Sequence, residues 1–385
     1  MSATSGDAVE VHDRPGRRPR SGALAPSRIA GVDLARGLAV LGMFAAHLLT
    51  IDAFDWSRPE TWIDLANGRS SILFATLAGV SLALVTGGAT PVDGDTLALR
   101  RMRIAARAGL IWLIGVALVL TGVPVYVILP AYAVLFLLAL PLLSLRPPVL
   151  WALAVVLALV MPWVQPWLND LPVWQGATGA DLSLLLGWHY PFTTWAAFVV
   201  AGLAAGRSDL GRAATALLLL VGGSLGALLG YSAAGLFPVP IQDGLAPVWT
   251  ADAHSGGLFE VVGSGGFALA VLGASLLVCR TPLTWIVLPL RAVGSMPLTA
   301  YVGQIVAWAI AAALLLEEIG DLSGFRALDP LPIFVITTLV ACTTWALLIG
   351  QGPMERLVAW ASRFAASDPD VTGRSGTGGA TRLVK

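Results

Sequence analysis

Three ionisable residues, Asp33, Arg36 and His47, share the apolar segment 29–51 near the start of the chain. An ionisable side chain inside a membrane span is costly, so it usually faces the bundle interior and has a role. Asp33 and Arg36 are three residues apart and can pair on one helix face. His47 returns to that face about 21 Å further along the axis. The spacing predicts an ion pair at one membrane surface and an imidazole, the usual general base, at the other.

Further polar candidates are predicted at both membrane surfaces. Arg69 opens the second span beside His47, and His189 and His254 begin later spans at the same outer surface. Plainer explanations stay open for all of them, namely an interfacial ion pair, helix-capping histidines, a snorkelling arginine or bonds between helices. The remaining candidates are Tyr301 and Gln304, which can line a polar channel, and Arg101 and Arg103 in a basic inner segment.

The composition indicates a membrane protein. Of 385 residues, 57% are hydrophobic and 12% are charged, and the mean hydropathy is +0.80. Soluble domains carry roughly 25% charged residues, so lipid must solvate much of this chain. The net charge of zero argues against a nucleic-acid partner. Cys279 and Cys342 are expected to lie apart, which predicts neither a disulfide nor a metal site.

Apolar runs long enough to cross a bilayer predict an all-α, polytopic helix bundle. A short re-entrant piece is expected at Thr284–Leu290, before the ninth span. About ten transmembrane helices are predicted, over 29–51, 70–87, 104–121, 124–143, 149–166, 191–206, 213–236, 257–279, 295–316 and 331–350.

The charges orient this bundle. With both termini in the cytoplasm, 19 of the 23 Lys and Arg residues fall on the inner side, as expected for a multi-pass protein of the inner (plasma) membrane. Residues 1–27 and 361–385 are predicted to be disordered cytoplasmic tails around a transmembrane domain, 28–360. The first span is interpreted as an uncleaved helix, because Arg36 interrupts it and no clean cleavage site follows.

The first span also resembles a known group of enzymes. Asp33-x-x-Arg36-Gly37-x-Ala39, with a histidine fourteen residues after the aspartate, resembles the first helix of acyltransferase-3 proteins. The order of four later motifs is similar to the heparan-alpha-glucosaminide N-acetyltransferase catalytic domain and to YeiB-like proteins. These motifs are Gly68–Gly79, Tyr190–Trp195, Gly294–Gln304 and Gly352–Arg356.

The resemblance implies an integral-membrane acyltransferase that passes an acyl group from cytoplasmic acyl-CoA to an extracytoplasmic acceptor, often a sugar. Arg36 and the basic segment 100–107 would then bind the CoA phosphates, and His47 would be the general base or carry the acyl group. Arg69 would orient the acceptor or stabilise the oxyanion. The heparan enzyme's own histidine lies in its first lumenal loop, where this chain has none. No metal is implied, and a homodimer is left open. A transporter of a small or lipid-linked solute and a non-catalytic membrane protein remain the alternatives.

Overall fold

A computed structural model describes residues 28–52, 54–55, 57–236 and 246–364. These ranges are α-helical, with short 3-10 turns and no strand. The helices are α1 Ala30–Leu48, α2 Arg69–Val85, α3 Gly94–Val119, α4 Leu129–Ala139, α5 Pro147–Asn169, α6 Gly176–Leu186, α7 Phe192–Arg207, α8 Ala213–Leu236, α9 Leu258–Val278, α10 Leu283–Ile286, α11 Leu288–Ser295, α12 Pro297–Leu315, α13 Leu322–Ala327, α14 Leu331–Leu348 and α15 Pro353–Phe364.

The predicted membrane bundle is confirmed. Within the described ranges, eight helices are long and apolar enough to cross a bilayer. Two shorter apolar helices, Leu129–Ser144 and Phe192–Arg207, coincide with the fourth and sixth predicted spans. Pro141 ends the α-helical part of the fourth span, which continues as a 3-10 turn over Leu140–Ser144, because proline removes a donor from the helical ladder.

Contacts between residues far apart in the sequence show which segments lie at each end of the bundle. At the first, here called the basic end, Arg28 reaches the carbonyl of Ser295, Arg101 that of Leu140, and Arg280 that of Gly211. At the second, the histidine end, Arg326 reaches the carbonyl of His47 and Tyr190 that of Tyr126. The segments predicted to be cytoplasmic therefore meet at one end, and those predicted to be external meet at the other.

The structure departs from the predicted boundaries where polar helices continue past the apolar core. Helix α3 begins at Gly94 rather than at 104, so the arginines from Arg100 to Arg107 are helical. The helix can continue through this basic stretch because arginine is a good helix former and because these side chains lie at the basic end, away from the lipid. Helix α15 extends to Phe364, into the predicted tail. The segment expected to be re-entrant forms α10 and α11. The rest of both predicted tails lies outside the described residues.

Helix α1 packs closely against α2, α9 and α11, and glycines set the distance to α11. A side-chain carbon on Gly294 would lie 1.7 Å from the carbonyl oxygen of Asp33, and one on Gly37 would lie 2.0 Å from that of Leu290. Small residues let membrane helices approach backbone to backbone, where apolar side chains gain nothing over lipid. This packing buries one face of α1, including Asp33.

We expect the histidine end to face outward and the basic end to face the cytoplasm, because arginines are retained on the cytoplasmic side. In a background carrying Cys279→Ser and Cys342→Ala, a membrane-impermeant maleimide should label exposed Ser57→Cys in intact spheroplasts. Exposed Ala213→Cys at the basic end should be labelled only after permeabilisation. The reverse labelling pattern would contradict the orientation.

Candidate functional site

A buried ion cluster joins α1 to its neighbours at the basic end. The Asp33 side chain is 3% exposed and accepts bonds from Arg28, at 2.7 and 2.6 Å, and from Arg36, at 3.0 Å. Arg36 also donates to Oγ of Ser81 on α2, at 2.7 Å. The pair predicted from the spacing of Asp33 and Arg36 is therefore present, with Arg28 as a second cation. One carboxylate is shared between two guanidinium groups.

The same end carries further positive charge. The Nε atoms of Arg103 and Arg107 are buried and have no hydrogen-bond partner among the described residues. The guanidinium of Arg107 lies 6.0 Å from the ring centre of Phe136. Glu355 of α15 is already engaged, since it accepts bonds from the backbone N–H groups of Leu298 and Thr299 at the start of α12. The cluster is thus suited to an anion.

A cavity of about 180 Å³ opens at the histidine end. Its floor is buried and includes Ser71, Ile128 and Tyr301, whereas Tyr126 and His254 at its mouth are exposed. The remaining lining residues are Met43, Ala46, His47, Ala66, Asn67, Gly68, Ser70, Pro124, Val125, Tyr190, Leu322 and Arg326.

His47 lines this cavity at the end of α1. Its Nδ1 lies 3.4 Å from Nε2 of Gln304, and its ring meets Tyr301 edge-on, with centroids 6.5 Å apart. Arg326 donates to the carbonyl oxygens of His47 and Ala46, at 3.1 and 3.2 Å. A cation there compensates the helix dipole and satisfies carbonyls that have no partner within the helix. Three of the predicted residues, His47, Tyr301 and Gln304, are therefore neighbours.

The other two predicted histidines lie close to the same cavity. His254 lines it and meets Tyr190 edge-on, with ring centroids 5.6 Å apart. His189 does not line it but stacks on Tyr126, with centroids 3.6 Å apart. Desolvation by the surrounding protein lowers the pKa of both His254 and His189. Both imidazoles are therefore favoured in the neutral form, which can accept a proton.

An apolar layer separates the two ends along α1. Ala39, Val40, Met43 and Phe44 are at most 4% exposed. They occupy most of the roughly 16 Å of helix between Arg36 and His47. The two polar sites therefore share a helix, and this buried apolar layer lies between them along it. Among the described residues, no group of three or more His, Cys, Asp or Glu is arranged to hold a metal ion.

Comparison with known families identifies the chain. The family model described as heparan-alpha-glucosaminide N-acetyltransferase, catalytic, matches residues 28–221, half of the sequence. The chain belongs to this N-acetyltransferase family. A second model, described as a protein of unknown function (DUF418), matches residues 212–364. No curated protein gives a significant match. The resemblance predicted from the motifs is thereby confirmed, and the N-acetyltransferase match contains Asp33, Arg36, His47 and Arg69.

Two arginines at the histidine end of this N-acetyltransferase-family protein lie in different surroundings. Arg69 lies in the matched Gly68–Gly79 motif, but its guanidinium points away from the cavity. It donates to the hydroxyl of Tyr231 at 2.6 Å and to the carbonyl of Asp64 at 2.8 Å. Arg326, which lines the cavity, was missed as a site residue. The signal was available, because arginine is as disfavoured on the outer side at position 326 as at position 69.

Asp33 should be needed to hold the basic end together. Replacing Asp33 by Asn leaves two guanidinium groups without their shared charge, and breaking a buried ion pair costs about 3 kcal/mol. We expect Asp33→Asn to lower the thermal unfolding temperature in detergent. The matched control is Asp52→Asn, in an exposed pair with Arg58 whose side chains are 71% and 47% exposed, and it should have little effect. Equal losses in the two variants would contradict this role of Asp33.

Proposed function

We propose that this protein is a membrane acyltransferase. It moves an acyl group, most simply acetyl, from acyl-CoA at the basic end to a sugar or other envelope acceptor at the histidine end. The observation that carries the proposal is that α1 presents Arg36 at one end and His47 at the other, within the region matched by the N-acetyltransferase family. In this proposal the protein resides in the inner membrane, with the donor site in the cytoplasm.

The basic end supplies the groups that would bind the donor. CoA is polyanionic through its phosphates, and guanidinium groups form charge-assisted, often bidentate bonds to phosphate. Asp33 and Glu355 neutralise only part of the charge of Arg28, Arg36, Arg103 and Arg107. The Nε atoms of Arg103 and Arg107, buried and without a partner among the described residues, would donate to a bound anion. Arg101, whose Nε bonds the carbonyl of Leu140, would contribute charge to the same surface.

The histidine end supplies the groups that would act on the acyl carbon. In transfer to a hydroxyl or amine, the acceptor atom bonds to the carbonyl carbon, the carbon–sulfur bond breaks, and the acceptor proton passes to a base. His47 would be that base, or it would carry the acyl group between donor and acceptor. Tyr301 and Gln304 hold its ring. Arg326 would stabilise negative charge on the carbonyl oxygen, and Arg69, the predicted residue for that task, would act from behind the cavity wall.

The apolar layer has to rearrange during transfer. The acyl thioester can meet His47 only if the side chains of Val40, Met43 and Phe44 give way to it. An apolar layer suits a neutral acyl group and excludes the charged phosphates, since ions in lipid-like surroundings are costly. The proposed cycle therefore keeps CoA at the basic end and lets only its acyl end enter the bundle.

Transfer should depend on His47. Protein in liposomes that enclose radiolabelled acetyl-CoA, with amino sugars and polyols outside, should release labelled product to the outside. We expect His47→Ala to lower this rate by about 100-fold to 10,000-fold, the usual contribution of a general base. His12→Ala, in the N-terminal tail outside the described residues, is the matched control and should retain the rate. Movement of an acceptor without consumption of acetyl-CoA would instead support a transporter.

A further inference from the structure

The backbone of His254 adopts a conformation that non-glycine residues usually avoid. Its φ is +64°, in the left-handed region. Among the described residues, the others with a positive φ are glycines, apart from Asp329. Such a conformation is strained for a residue with a Cβ and persists only where the surroundings hold it in place. The short segment around it, here called the His254 loop and comprising residues 252–256, leads into α9.

Glu260 holds this loop. Its carboxylate is buried, the residue being 3% exposed, and it lies in the first turn of α9. Oε1 accepts the backbone N–H of His254 at 2.6 Å. Oε2 accepts the backbone N–H of Gly256 at 2.7 Å and the hydroxyl of Ser255 at 3.1 Å. A capping glutamate ordinarily satisfies one N–H group before its helix, but here three donors of one strained loop converge on a single carboxylate.

Two further contacts pack the His254 loop against the cavity. A side-chain carbon on Gly68 would lie 2.7 Å from Cβ of Ala253, so only glycine permits this approach of α2 and the loop. Tyr190 meets the His254 ring edge-on. The imidazole thereby lies at the cavity mouth, in the same cavity as His47. His47 lies deeper, at the end of the helix that leads to the donor site.

We propose that His254 is a second catalytic imidazole, which deprotonates the acceptor, and that Glu260 is the residue that positions it. The inference rests on the proposed acyl transfer and divides the work between the two histidines. An acceptor enters from the mouth, where His254 is exposed, whereas the acyl group arrives along α1. His254 therefore meets the acceptor first, and His47 meets the acyl carbon first.

The resulting reaction has two balanced steps. In the first, a ring nitrogen of His47 bonds to the thioester carbon, the carbon–sulfur bond breaks, and CoA leaves as the thiolate, which takes a proton from water. In the second, the acceptor oxygen or nitrogen bonds to the acyl carbon, the bond to His47 breaks, and His254 takes the acceptor proton. His47 is restored to its neutral form, and His254 returns its proton to water at the mouth.

The test separates the two steps. With labelled acetyl-CoA and no acceptor, His254→Ala should still acetylate His47, but turnover with acceptor should fall about 100-fold or more. Labelled protein should therefore accumulate, with kcat/KM for acetyl-CoA unchanged. Glu260→Gln should show the same pattern, because an amide cannot accept all three donors. Asp252→Asn, which removes an exposed carboxylate from the same loop, is the matched control and should turn over like the wild type.

A measurement that does not require turnover distinguishes loss of the proposed role of Glu260 from misfolding and from failure of the proposed function. Diethyl pyrocarbonate acylates accessible neutral imidazoles, so it should modify both His47 and His254 in the wild type. In Glu260→Gln the rate at which diethyl pyrocarbonate modifies His254 should change by several-fold, while the rate at which it modifies His47 stays constant. Wild-type transfer with normal turnover in His254→Ala would overturn this inference alone. Absence of any transfer by the wild type would overturn the proposed function, and the inference with it.

Discussion

A charged side chain inside a lipid-solvated bundle must find a protein partner or a wet cavity, because the bilayer offers it neither hydrogen bonds nor a high dielectric. The organisation of this protein follows from that constraint. Asp33 is shared by Arg28 and Arg36. Arg207, 1% exposed, donates to the carbonyls of Ala83, Thr86, Gly88 and Leu143 and to the hydroxyl of Thr86. Charges gather where partners exist, and this produces a basic end, a histidine end and an apolar layer between them.

Helix α1 gives this separation a functional meaning. It is the element that carries the ion cluster, the apolar layer and the cavity imidazole in sequence, and its glycines allow α11 to pack against it backbone to backbone. A helix of this kind would connect a binding site for a polyanionic donor with an acceptor site at the opposite surface. Neither the ion cluster nor the imidazole would then be exposed to lipid. In the proposed cycle, the layer of Ala39, Val40, Met43 and Phe44 would be the barrier that the acyl group alone crosses.

Much of this arrangement could be predicted from the sequence. Hydropathy and arginine placement predicted the bundle, and helical spacing alone brought Asp33 beside Arg36 and turned His47 inward. What could not be predicted depended on contacts between distant segments. Arg326 contacts the end of α1, 279 positions away in the sequence, and Arg69 contacts Tyr231 on α8. The helical periodicity of a single segment predicts neither contact. The clamp of Glu260 on the His254 loop was hidden for the same reason, since the positive φ of His254 has no sequence signature.

In the proposed cycle, acyl-CoA binds at the basic end with its acyl group directed along α1 toward His47. The most direct measurement is an experimental structure of the protein in a lipid nanodisc with a non-hydrolysable acyl-CoA analogue. We expect density for the CoA phosphates against Arg36, Arg103 and Arg107, with the acyl carbon displacing Met43 and pointing to His47. Phosphate density at the histidine end, or an acyl group directed away from α1, would contradict it.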